Sequence, residues 1–233
     1  MKPKTKTRWK YGHAQEQWKL QAGDVWQLGP HIVAVGDIEK GHTHELAAQC
    51  APDMLYSDPP WGANLANSFR SQAGLTDSAN YRNVLHEVAE IGMESGLAFI
   101  EMSVRDTGLL EQLLLQAGAQ TMLKFSIKYS GNRPCTLIAA TTERGATVLT
   151  RDPYPDPTGF SDNWTGTPTW AIHNFCPVGG LVIDPCTGLG GTLKAAHLLN
   201  RRFVGTEINP QKLAEVVQWA ASEGLNPVKV GSL

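Results

Sequence analysis

Residues Asp58-Pro59-Pro60-Trp61 place a carboxylate, two stiff prolines and a broad aromatic face side by side. They follow Met54-Leu55-Tyr56, a short apolar run that reads as a buried strand. Two consecutive prolines neither continue a strand nor enter a helix, so the backbone must turn there in a rigid, extended form. Such a turn suits one task well. It can accept hydrogen bonds from an exocyclic amine while a planar base stacks on the ring.

A second constellation lies near the C-terminus. The apolar run Leu181-Val182-Ile183 leads into Asp184-Pro185-Cys186-Thr187-Gly188-Leu189-Gly190-Gly191-Thr192, and a helix-like segment from Leu193 to Asn200 follows. Glycines at such a turn let the backbone pass close to a bound ligand, where side chains would collide. The next strand-like run, Arg202 to Thr206, ends in Glu207. An acid at the end of the second strand is where nucleotide-binding sheets accept hydrogen bonds from ribose hydroxyls. The spacing Gly188-Leu189-Gly190-Gly191 is not G-x-G-x-x-G, which argues against a pyrophosphate cofactor.

Together these motifs resemble the amino-methyltransferases that use S-adenosylmethionine (SAM) to methylate a nucleobase amine. Asp58-Pro59-Pro60-Trp61 fits their [D/N/S]-P-P-[Y/F/W] signature. Asp184 to Thr192 looks like the D-P-x-x-G-x-G-[G/T]-T stretch that holds SAM, and Gly205 to Pro210 like the G-x-E-x-x-P strand end. The catalytic motif precedes the cofactor motif by more than a hundred residues, an order that resembles the circularly permuted beta class of DNA amino-methyltransferases. That order requires the strand before the catalytic one to lie near the N-terminus, and His31 to Asp37 fills the place. Gly23 to His31 reads as a hairpin around Gly29-Pro30. It is also similar to the W-x-L-G-x-H-x-x-x-x-G-D opening of such enzymes, where the aspartate lies beside the SAM adenine; here that residue is Asp37.

The resemblance implies a catalytic set of Asp58, Pro59, Pro60 and Trp61. It implies a SAM-binding set of Asp37, Asp58, Asp184, Pro185, Cys186, Thr187, Gly188, Gly190, Gly191, Thr192, Glu207 and Asn209. Aspartate as the first motif residue resembles adenine-N6 enzymes more than cytosine-N4 enzymes, which tend to carry serine. The same four letters occur among RNA adenine methylases, so RNA stays open as a substrate; the motif order and the opening favour DNA. A catalytically silent nucleic-acid-binding subunit is a rival of another class, and the intact Asp58, Pro59 and Pro60 argue against it. One departure stands out. Relatives commonly carry a K-P pair before the glycine motif, whereas this chain has Thr167-Pro168, with Pro168 suited to a helix start. Contacts to the SAM carboxylate then fall to backbone or to Thr169, and His173 reads as a helix-face residue.

At 233 residues the chain suits one α/β domain with a substantial core. No apolar run approaches the length needed to span a bilayer, and the basic N-terminus lacks the apolar segment of a secretory signal. Cys50, Cys135, Cys176 and Cys186 show no C-x-x-C spacing, so neither a disulfide framework nor a metal site is expected, and a reducing cytoplasm fits, of a bacterium or a phage-infected one. The net charge of −2 does not advertise nucleic-acid binding, but Lys2, Lys4, Lys6, Arg8 and Lys10 make a basic arm within residues 1–20. Such an arm contacts phosphates or remains a solvated tail, and the pattern leaves both open.

Between the motifs, Gly62 to Asn80 is polar without a convincing period and reads as a long loop, a candidate lid or base-flipping element. Tyr81 to Met93 is helical in pattern, with Val84, Leu85, Val88 and Ile91 on one face. Leu97 to Met102 reads as a central strand, Thr107 to Gln116 as a helix, and Thr121 to Tyr129 with Cys135 to Ala140 as a hairpin through Gly131-Asn132. Alternating helices and apolar strands argue for a three-layer α/β/α sandwich over residues 21–233. The resemblance adds that this is a Rossmann-like, circularly permuted methyltransferase fold, with a mostly parallel seven-stranded sheet and an antiparallel edge hairpin. Residues 141–166 carry Tyr154, Phe160 and Trp164 among Pro, Asp, Gly and Thr, and occupy the slot of a target-recognition region. Their shortness suits limited selectivity, or recognition supplied by a homodimer partner or another subunit.

Overall fold

A computed structural model describes residues 13–129, 133–143, 149, 157 and 166–233. The basic arm's lysines and arginine, the turn at Gly131-Asn132, and Tyr154, Phe160 and Trp164 lie outside the described residues. Along the chain run α1 (His13–Trp18), β1 (Asp24–Leu28), β2 (His31–Val35), a 3₁₀ turn (Ile38–Lys40), α2 (His42–Ala48), β3 (Met54–Ser57), α3 (Ala63–Gln72), α4 (Tyr81–Glu94) and β4 (Leu97–Ser103). Then come α5 (Thr107–Gln116), β5 (Thr121–Tyr129), β6 (Arg133–Thr141), α6 (Gly166–Phe175), β7 (Leu181–Asp184), α7 (Gly191–Leu198), β8 (Arg202–Glu207), α8 (Pro210–Ser222) and β9 (Val228–Ser232).

The strands form one sheet in the order β5-β6-β4-β3-β7-β8-β2-β1-β9. Its centre, β4-β3-β7-β8-β2, is parallel, whereas β1-β2, β1-β9, β4-β6 and β5-β6 pair antiparallel. The expected seven-stranded, mostly parallel sheet is therefore corrected to nine strands among the described residues, with as many antiparallel pairs as parallel ones. The N-terminal hairpin joins the main sheet and β9 extends it. Every residue of β9 is exposed, so the strand carries no inward-facing apolar set by which a pattern could reveal it.

Pleating sends alternate side chains to opposite faces and makes two cores. Met54, Tyr56, Phe99, Val182 and Phe203 pack with Trp170, Leu193, Leu213 and Val216 on the side of α6, α7 and α8. Leu55, Ala98, Ile100, Ile183 and Val204 pack with Leu46, Leu85, Val88 and Leu110 on the side of α2, α4 and α5. The three layers expected from the alternation are present. Val84, Leu85, Val88 and Ile91 are all buried, each contributing roughly 1.5–3 kcal/mol of apolar burial. Residues 62–80 depart from the expected loop, because α3 occupies ten of them. Its inward residues are Ala66 and Arg70, and a charged residue on the buried face hides the amphipathic stripe from the sequence pattern.

Candidate active site

The parallel strands end on one side of the sheet, and a cavity of about 740 Å³ opens there. This size suits a small-molecule site, and its place suits the rule for open α/β sheets, which bind ligands at the carboxyl ends of their strands. β3 delivers Asp58, Pro59, Pro60 and Trp61 to the wall. β7 delivers Asp184, Pro185, Cys186, Thr187, Gly188, Gly191 and Thr192, while β2 and β8 supply Asp37 and Glu207. Two motifs more than a hundred residues apart therefore meet because β3 and β7 are neighbours, paired at Met54–Val182 and Leu55–Ile183.

The loop after β7 is held by its own acid. Asp184 Oδ1 accepts from Ser57 Oγ at 2.9 Å and from the Cys186 N–H at 2.9 Å, and Oδ2 accepts from Thr192 Oγ1 at 2.7 Å. Asp184 thus ties β3 to both ends of the glycine loop. Burial pushes its carboxyl up to about 6, opposed by these three donors. Glu207 closes the other side. Its Oε2 accepts from the Gly188 N–H at 2.8 Å and its Oε1 from the Asn209 N–H at 2.9 Å. A carboxylate has about four lone-pair sites, so acceptor capacity towards a ligand remains.

Two predicted contacts fall behind the cavity wall. Gly190, at φ +80°, starts α7 with its Cα facing Val216, where a Cβ would stand 3.2 Å from a methyl carbon. Asn209 caps α8 by accepting from the Gln211 N–H at 2.9 Å. Both hold the residues that line the cavity. The same is true of Gly205 on β8, where a Cβ would lie 2.4 Å from Thr187 Oγ1 and 2.6 Å from the Asp184 carbonyl oxygen. Backbone cannot yield there as a flexible side chain would. Gly205→Ala is expected to destabilise the protein by about 3 kcal/mol, read as a shift in the urea midpoint.

Several cavity residues escaped the sequence reading. Arg70, from α3, is buried; its Nη1 donates to Asp37 Oδ2 at 2.8 Å and to Glu39 Oε2 at 3.0 Å, and its Nη2 to Asp77. Asp37 also accepts from the Glu39 N–H at 3.1 Å, so the expected adenine-side acid doubles as the cap of the 3₁₀ turn. Lys212 Nζ lies 3.7 Å from the centroid of the Phe69 ring, which fastens the preceding residue of α3 to α8. Thr167 and Pro168 line the cavity, whereas Thr169 lines a separate small recess with Lys194, His197 and Trp219. Thr169 therefore lies away from the main cavity, and His173 is exposed, as a helix-face residue should be.

Glu101 on β4 is buried among the strands, and its Oε1 accepts from the Tyr56 hydroxyl. Both line the cavity beside Asp58, with Lys128 and Arg133 from the β5-β6 hairpin. The signal for Glu101 was present in the sequence as an acid inside the apolar run Leu97 to Met102.

Comparison with known proteins bears on this geometry. A family profile described as DNA methylase matches residues 167–218, the stretch from α6 into α8. M1.HpyAVI aligns structurally at 15% identity over 80% of this chain and 96% of its own, with a TM-score of 0.57. TTHA0409 of Thermus thermophilus, a candidate DNA modification methylase solved with S-adenosyl-L-methionine, aligns at 15% identity over 82% and 93%, with a TM-score of 0.54. The cytosine-N4-specific PvuII DNA methyltransferase aligns at 12% identity over 84% and 93%, with a TM-score of 0.53. The fold is the one these structures share. No curated protein matches the sequence. Among the described residues, no helix is long and apolar enough to cross a membrane.

Proposed function

We propose that this chain is a SAM-dependent DNA methyltransferase of the circularly permuted beta arrangement, acting on the N6 amine of adenine. The observation that carries the reading is the meeting of the Asp58-Pro59-Pro60-Trp61 turn and the Asp184 to Thr192 loop on one cavity. The DNA methylase profile over residues 167–218 and the likeness to DNA methyltransferases, one of them solved with SAM, support it.

The residues present fit the cofactor. The loop after β7 approaches without side chains at Gly188 and Gly191, Glu207 offers oxygens to ribose hydroxyls, and Asp37 stands at the end of the adjacent strand. SAM would supply a methyl group on a sulfonium, with the S–C bond's electron pair returning to sulfur as the N–C bond forms and the surplus proton on the methylated nitrogen then leaving to solvent. The rest falls to the chain. The N6 lone pair is delocalised into the adenine ring and is a poor nucleophile. Asp58 and the Pro59 carbonyl accept its two N–H groups and draw the nitrogen towards tetrahedral geometry, while Trp61 stacks on the extruded base.

Methyl transfer from labelled SAM to duplex DNA, single-stranded DNA and RNA, each digested to nucleosides for mass spectrometry, tests the reading. N6-methyldeoxyadenosine is the expected product. N4-methyldeoxycytidine overturns the base assignment, label confined to RNA overturns the choice of polymer, and label nowhere overturns the activity.

A further inference from the structure

We propose that Glu101, in its protonated form, reads the target base by donating a hydrogen bond to the ring nitrogen beside the reacting amine, N1 of adenine. The inference rests on the methyltransferase reading and deepens it by naming a group that separates adenine and cytosine from guanine and thymine.

The strand register sets the geometry. β3 and β4 run parallel with Tyr56 against Phe99 and Ser57 against Ile100, the last pair before Asp58 leaves β3 and Glu101 continues β4, and both acids line the cavity. Alternation carries Glu101 to the face of Tyr56 and Phe99, and the hydroxyl of Tyr56 donates to Glu101 Oε1. Oε1 is thereby fixed as the accepting oxygen, and a proton on the carboxyl belongs on Oε2. Asp58 then presents an acceptor and Glu101 a donor to the same cavity. Adenine offers the complement, an amine beside a bare ring nitrogen, and so does cytosine. Guanine and thymine offer a carbonyl beside a ring N–H, which would face acceptor with acceptor and donor with donor.

The surroundings keep the proton in place. Burial is the main influence and pushes Glu101 up to about 7; the Tyr56 hydrogen bond opposes this, and the negative charge of Asp184 on β7 adds to it. The other groups facing this corner are Asp58 after β3, Cys135 and Arg133 on β6, and Lys128 on β5. Cys135 is a thiol held well above its usual range by burial, with the nearby carboxylates adding to the effect, so it stays neutral. A carboxylic acid kept protonated in an apolar site so that it can donate is an established way to bind a basic atom. The sign follows. Donation needs the acid, so transfer should weaken as pH rises through the Glu101 titration.

Single-turnover transfer is measured against pH on DNA carrying the target adenine or 1-deazaadenine, which lacks the ring nitrogen. Wild type should lose rate on the alkaline side and lose about tenfold on the 1-deaza substrate. Glu101→Gln keeps a neutral donor of the same shape, so it should retain most of the rate and lose the alkaline limb. Tyr56→Phe removes the bond that favours the charged carboxylate, so the limb should move to higher pH. In Glu101→Ala the 1-deaza penalty should vanish. Carbon-13 titration of the Glu101 carboxyl in the free protein gives a readout independent of turnover, with protonation expected to persist to near neutral pH. An alkaline limb unchanged in Glu101→Gln, a 1-deaza penalty equal in wild type and Glu101→Ala, or a carboxyl that titrates as an ordinary glutamate each overturns the proposal. Wild type that transfers methyl to no DNA overturns the methyltransferase reading, and the Glu101 role falls with it.

Discussion

Asp58→Ala is expected to slow single-turnover methyl transfer by at least about 10³-fold while SAM binds within about threefold of the wild-type affinity. The loss is large because the amine's reactivity depends on acceptors already in place when positive charge develops on nitrogen. Asp58 has surroundings that suit that proposed role. It follows a fully buried strand, precedes a buried proline and lines the cavity. On the proposed reading the cofactor's contacts would be spread over Asp37, Glu207 and the loop after β7, all of which line the cavity, so removing one wall group would leave them intact. Asp58→Asn separates charge from shape. It keeps one acceptor oxygen in place and loses the ionic part of the bond, so a loss of about tenfold is expected, since charge-assisted hydrogen bonds are roughly twice as strong as neutral ones. Quench-flow on a methylatable duplex, with calorimetry for SAM, measures both. Normal turnover by Asp58→Ala would remove Asp58 from the chemistry.

What the sequence made legible is what short-range pattern can encode. The hairpin around Gly29-Pro30, the helix with Val84, Leu85, Val88 and Ile91 inward, and the helix from Thr107 to Gln116 all appear as the residue periods require. The two motifs were legible because each concentrates its chemistry within a few residues of one strand end. The groups that complete the site were not. Arg70 acts through partners on the 3₁₀ turn and at Asp77, and no local period announces an ion-pair cluster assembled by the fold. Gly190 and Asn209, marked by the same motifs, stand behind the cavity wall. Their place in a motif suggested ligand contact, yet one packs on Val216 and the other caps a helix. A motif records what the site needs and does not separate the residues that touch a ligand from those that hold the touching residues still.

Arg70→Leu is expected to lower stability by about 3–5 kcal/mol and to weaken SAM binding by more than tenfold. The arginine is buried, and its partners Asp37 and Glu39 are largely buried with it. Without the cation, two carboxylates face one another away from water, and burial already favours the protonated form of Glu39. Leucine fills most of the volume, so the loss reports charge and hydrogen bonding more than a cavity. The same contact joins α3, which follows the Asp58 to Trp61 turn, to Asp37, the residue proposed to lie beside the SAM adenine. Arg70 is therefore a positioning residue, and its removal should free α3 while letting the Asp37 carboxylate leave its oriented place. Arg70→Lys sharpens the test, because an ammonium supplies charge without the planar fork and cannot reproduce the directed bonds to Asp37, Glu39 and Asp77 together. It should recover part of the stability and less of the SAM affinity. Chemical denaturation and SAM calorimetry on both variants separate the two effects, and a stable Arg70→Leu protein with wild-type SAM affinity would show that α3 and the cofactor floor are held together by other contacts.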